Sequence, residues 1–243
     1  MNTDTYEPTD QIKLLASTRY SEFKNMAQSI NMNVENIIVV VTRCMETAET
    51  FTTLSGQDRY DFVILIMNHI IDDVSTADAN DKQYMKIVLP SLIKIIIDAS
   101  KGKLNLNDVK QMKNTVPIAQ IVDDLYVQLK NLITGDRNYT PEYICSNIII
   151  IVGMLMSAVE EYVGLTGMEK KAIVLRVIEK LVGELDTLFP DMSPGIKTLI
   201  QSAVALIPNA IDVIVSAAKQ HFDINAIQDK CSSIFSCCKR EQK

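Results

Sequence analysis

Tryptophan is absent from these 243 residues, and histidine occurs only twice. Aromatic residues make up 6 % of the chain, which leaves few platforms for stacking single-stranded bases. Basic residues are outnumbered: 24 Lys and Arg face 30 Asp and Glu, a formal net charge of −6. Affinity for nucleic acid comes from clustered cations that neutralise phosphates, so no nucleic-acid partner is expected. Eight glycines and seven prolines exclude a low-complexity or loop-dominated chain. Strand signals are lacking as well, because no alternating run is bounded by Asn-Gly or Asp-Gly turns.

Cysteine is present in an odd number, five, at Cys44, Cys145, Cys231, Cys237 and Cys238. Two lie inside apolar runs and three near the C-terminus, which is no disulfide framework; reduced thiols in a cytosol-like compartment are expected. The N-terminal "MNTDTYEPTD" is polar and acidic, so neither a signal peptide nor a transit peptide is expected, and the Asn138-Tyr139-Thr140 sequon should be idle.

What the chain has is apolar residues, 47 % of the total, enough to bury a true core. They recur at spacings of three and four, as in Ile12, Leu15, Tyr20, Phe23 and Met26. Helices are predicted over 9–30, 34–53, 56–73, 80–101 and 105–113, then over 116–134, 141–163, 167–187, 195–220 and 223–236. The longest uncharged run, "YICSNIIIIVGMLMSAV" at 143–159, falls just short of the roughly 20 residues that span a bilayer. It carries Ser146 and Asn147 and is closed by Glu160 and Glu161, so a buried core helix is the favoured reading.

The two sets of helices correspond. Displaced by 111 positions, residues 36–73 align without a gap on 147–184, and nine of the 38 positions are identical, among them Asn36/Asn147, Met45/Met156, Glu49/Glu160 and Gly56/Gly167. Arg59/Lys170 and Asp58/Glu169 keep their charge. With small shifts the match extends to Tyr20/Tyr126 and Lys24/Lys130 before it, and to Pro90/Pro208 after it. A shared mid-helix proline is informative, because proline removes a backbone hydrogen bond and bends a helix. The expected fold is therefore all-α, a helical bundle of two tandem four- to five-helix repeats. The first repeat, with an N-terminal extension, covers 1–114, the second 115–231, and a Cys/basic tail 232–243. Whether the repeats share one core is not decided by the sequence.

Residues able to carry chemistry do not converge. His69 and His221 have no second histidine at metal-ligand spacing and no nucleophile arranged with them, and both are expected at helix edges or ends. The pairs Asp72-Asp73, Asp123-Asp124 and Glu160-Glu161 point about 100° apart on a helix and suit solvated faces. "TADANDKQY" at 76–84 has Asp78, Asn80 and Asp81 but lacks the central glycine and closing Glu of a calcium loop. No catalytic residue, metal site or cofactor is expected.

"GLTGMEKK" at 164–171 has two glycines and two lysines, yet only two residues part the glycines and a helix precedes them, so it is no phosphate loop. A capping box accounts for it: the Thr166 oxygen accepts from the third helical N–H, and Glu169 reaches back to Thr166. Ser55 and Asp58 occupy the same positions in the first repeat. The cap is shared, whereas Lys170 and Lys171 become Arg59 and Tyr60. In the tail "CSSIFSCCKREQK", Cys237 and Cys238 beside Ile234, Phe235 and a basic flank fit S-acylation. A terminus that merely ends the last helix is the favoured reading.

"LTGMEKKAIVLRVIEKLV", after an apolar helix ending in "MSAVEEYV", resembles small all-helical proteins of giant nucleocytoplasmic DNA viruses, in which a Leu-Ser/Thr-Gly-x-Glu-Lys-Lys turn joins two apolar helices. The resemblance covers the middle of the second repeat and reaches the first only through "LSGQDRYDF". It implies a viral origin and a virion component, and it brings no catalytic residues. The expected function is that of a non-enzymatic structural or interaction protein, such as a minor capsid component, in the virion or host cytoplasm. Its expected partners are other virion proteins or copies of itself. A peripheral membrane protein, anchored by the tail or an apolar helix, is the alternative.

Overall fold

The computed structural model describes residues 8–73, 77–104, 106, 116–135, 139–162 and 164–219. Among them the chain forms eight α-helices and no strand. They are α1 (Asp10–Ser29), α2 (Ile37–Glu49), α3 (Gly56–Asp73), α4 (Ala79–Ser100), α5 (Ile118–Gly135), α6 (Pro141–Val159), α7 (Gly167–Leu188) and α8 (Pro194–Ala218). The helices expected at 105–113 and 223–236, the boundary at 114/115 and the tail lie outside the described residues.

Sequence pattern separates outer helices from inner ones. In α1 only Ile12, Ala16, Phe23 and Ala27 are buried, a single stripe. In α5 the stripe is Ile121, Val122, Leu125, Tyr126, Leu129 and Ile133. Helix α6, by contrast, buries Ile148 to Gly153 without interruption, as a helix at the centre must. Helix α4 does the same from Ser91 to Ile97.

The packing follows. Helices α4, α6 and α8 touch one another at the centre. α1 lies on α3 and α5 lies on α7. α2 packs against α3, α4 and α8, while α7 packs against α6 and α8. Buried side chains of all eight helices form one continuous core, from Ile12 to Ala217. At Gly153 a Cβ would come 2.5 Å from Ile95 Cδ1, so the missing side chain is what lets α6 approach α4 this closely.

Helix ends are set by local polar groups. Asp78, Thr140 and Ser193 accept the N–H groups of Asp81, Tyr143 and Ile196 at the starts of α4, α6 and α8. Pro141 and Pro194 follow their caps, where a missing N–H costs nothing. Helix α2 begins at Ile37 rather than 34, because a turn precedes it: Asn33 Oδ1 accepts from Glu35 and Asn36 Oδ1 accepts from Asn33. Helix α6 stops at Val159 rather than 163, and Gly164 leaves the following turn at φ +82°, a conformation open to glycine.

Candidate functional site

The turn from α6 into α7 carries the most concentrated polar structure. Thr166 Oγ1 accepts the Glu169 N–H at 3.2 Å, and Glu169 Oε2 accepts the Thr166 N–H at 2.7 Å. These bonds, the backbone one foremost, hold the Glu169 carboxyl below its ordinary range. Ser55 and Asp58 make the same reciprocal pair at 3.1 and 3.2 Å ahead of α3. One turn further on, Lys170 pairs with Glu160 at 2.5 Å, and Arg59 pairs with Glu49 at 3.2 Å.

Beside this turn lies a cavity of about 410 Å³ between α6, α7 and α8. Its walls are apolar, with Met156, Val159, Val174, Ile211 and Val215 contributing, and Gly164 and Gly167 form part of its edge. Lys170, Lys171 and Lys219 reach it, against one carboxylate, Glu160. Lys170 is held by Glu160, and Lys171 by the exposed Asp212 at 2.7 Å.

The residues of α3 that align in sequence with Lys170 and Lys171 are more deeply buried. Arg59 is only 7 % exposed; its guanidinium donates to the Phe51 carbonyl at 3.1 and 3.2 Å as well as to Glu49. Phe51 in turn packs edge-on against Phe62, with ring centroids 5.1 Å apart. Tyr60, where the second half has Lys171, is buried. The capping pattern of the turn does not announce the cavity; the sequence signal for it is Lys170-Lys171 against Arg59-Tyr60.

Other flagged residues have structural surroundings. His69 meets the edge of Tyr20, centroids 6.2 Å apart, and Tyr20 donates to Asp73 at 2.7 Å. Burial first, then Asp73, pushes the Tyr20 hydroxyl up to about 12. In the second half Lys180 stands over the Tyr126 ring at 4.7 Å and Lys130 pairs with Glu184 at 2.6 Å. Asp72 pairs with Lys86, and Asp123 with Lys180. Cys44 and Cys145 are buried free thiols; burial raises both, Cys145 to about 11. Among the described residues no three His, Cys, Asp or Glu side chains are grouped to hold a metal ion. Cys231, Cys237, Cys238 and His221 lie outside the described residues. Helices α6 and α8 are long and apolar enough to cross a membrane by length and composition, and 61 % and 44 % of their apolar windows are buried in the bundle.

No protein-family model matches the chain, and comparison with curated proteins and with solved structures gave no match.

Proposed function

We propose that the chain is a tandem duplication of a four-helix unit whose halves share one core, and that it acts as a non-enzymatic structural or interaction protein. Exchanging α1–α4 for α5–α8 turns the contact of α1 with α3 into that of α5 with α7, α2 with α3 into α6 with α7, and α4 with α6 into α8 with α2. The contact of α4 with α8 maps onto itself. The observation that carries the functional reading is where the polar groups go: Thr166 with Glu169, Lys170 with Glu160, Lys130 with Glu184 and Arg59 with Glu49 are engaged in holding the scaffold.

The sequence resemblance favours a virion component of a large DNA virus as the setting, with other virion proteins or further copies as partners. Mass spectrometry of purified particles of the encoding virus should then recover the chain in proportion to other structural proteins. Its absence from particles, while present in infected cells, would remove the virion assignment.

A peripheral membrane protein is the second reading, favoured by the apolar length of α6 and α8 and by Cys237 and Cys238 in the tail. It predicts resistance to carbonate extraction that is lost on replacing both tail cysteines with Ser. An unchanged distribution would count against the acylated tail.

A further inference from the structure

The geometry points to the cavity between α6, α7 and α8 as a binding site for a single-chain amphiphile with an anionic head, a fatty acid or lysophospholipid. Its volume, about 410 Å³, lies within the roughly 300–1,000 Å³ of small-molecule sites. The apolar walls from Met156, Val174, Ile211 and Val215 suit an acyl chain. Counting Asp212, which pairs with Lys171, three lysines meet two carboxylates, a local excess of one positive charge in a chain whose overall charge is −6, so the local field favours an anion.

The first half supplies an internal comparison. There Arg59 and Tyr60 are buried where Lys170 and Lys171 are partly exposed, and Ile97 stands at the position of Val215. The aligned side chains of the first half are thus more deeply buried, and the exposure of Lys170 and Lys171 beside the cavity belongs to the second half. An acyl chain would lie against Val215 and Ile211, with its head beside Lys171 and Lys219. Unlike Lys170, whose amine is tied to a carboxylate that also lines the cavity, Lys171 pairs among the described residues with the exposed Asp212, which an anionic head can replace.

The test is calorimetric titration of the full chain with dodecanoate, dodecanol and dodecyltrimethylammonium, each as monomer, and with lauroyl lysophosphatidylglycerol. At least one of the two anionic amphiphiles should bind, on the order of tenfold tighter than dodecanol, as expected for charge-assisted hydrogen bonds to lysine. The cation should not bind. Preference for dodecanoate identifies a free acid, and preference for the lysolipid a phosphate headgroup. Lys171→Gln with Lys219→Gln should remove the margin over dodecanol. Val215→Ile with Lys171→Tyr, which installs the first half's residues, should abolish binding while the melting temperature is kept. Equal binding of acid and alcohol, no binding of either anion, or binding untouched by the filling variant would overturn the proposal; the first two need no variant to fold.

Discussion

Ser91 donates its hydroxyl hydrogen to the Ser146 carbonyl at 2.7 Å, from the position just after Pro90 in the middle of α4. Asn209, just after Pro208 in α8, donates to the Glu35 carbonyl at 2.6 Å. Residues 35 and 146 are 111 apart, the displacement that aligns the two halves. In each case the residue after a mid-helix proline bonds to the backbone of the other half. Ser91→Ala should therefore cost about 1 kcal/mol, since the buried hydroxyl has this one bond to lose. Asn209→Ala, at an exposed site, should cost about half as much. Urea denaturation checks both; a neutral Ser91→Ala would show that the bond adds nothing across the halves.

The Arg59–Glu49 and Lys170–Glu160 ion pairs should differ in cost. Arg59 and Glu49 are nearly buried, with side chains 8 % and 12 % exposed, and Arg59 also serves the Phe51 carbonyl. Arg59→Ala takes the guanidinium away from a nearly buried carboxylate and removes two hydrogen bonds from the Phe51 carbonyl, which keeps the Leu54 N–H, at about 2 kcal/mol or more. Lys170→Ala leaves Glu160 with access to water and should cost about 1 kcal/mol or less. Equal losses in thermal melts of the two variants would contradict the difference in burial that separates the two sites.

Much of this architecture is legible in the sequence, and the rest depends on packing that periodicity cannot reach. The helix from Gly56 to Asp73 starts where its capping residues signal, because Ser55 and Asp58 act locally. Helix α2 starts later than its apolar pattern suggests, since Asn33 and Asn36 bond to the backbone and compete with the helix. The cavity is different in kind. Arg59 and Lys170 read alike as cations, each opposite a glutamate, and only the three-dimensional packing shows one buried and the other leaving space. A single shared core likewise follows from α4, α6 and α8 meeting, a long-range relation that no local spacing encodes.

Tyr84 is fully buried, and its hydroxyl has no hydrogen-bond partner among the described residues. Burial, then Cys145, raises its pKa well above the ordinary value, so it stays neutral throughout the accessible range. An unsatisfied buried hydroxyl is a cost that its phenyl counterpart avoids. Tyr84→Phe should leave the fold intact and raise stability by about 1 kcal/mol in urea denaturation. A loss of similar size would mean that the hydroxyl is bonded in solution.

Acid should weaken the fold through named carboxylates. Glu169 is held below its ordinary range by the Thr166 N–H, and Glu184 by Lys130 first and Tyr126 next. A folded-state pKa below the unfolded value contributes stability above the unfolded pKa, and that contribution is lost as pH falls through the folded one. The loss thus begins near pH 4, the ordinary Glu value being about 4.3. At the alkaline end Tyr20, raised to about 12 from 10.0, contributes below pH 10 and loses that contribution as pH rises through 12. Glu169→Gln and Glu184→Gln should each flatten the acid limb of a stability-against-pH curve, and Tyr20→Phe the alkaline limb. Limbs as steep as those of the parent would assign the pH dependence to other groups.

The shared core makes a stronger prediction for the separated halves. Helix α4 contacts α6 and α8, and α2 contacts α8, so each half buries its central apolar faces on the other. Residues 1–114 alone would expose the face of α4 that carries Ile95, and residues 115–243 alone the face of α6 that carries Gly153. Exposed apolar surface of that kind drives association. Produced singly, each fragment should aggregate or bind a hydrophobic dye. Produced together, the two should form a soluble pair that restores the intact chain's near-ultraviolet circular dichroism. If either fragment alone gave a monomer with a cooperative melt, the halves would be independent domains and the interface between α4, α6 and α8 would not be their common core.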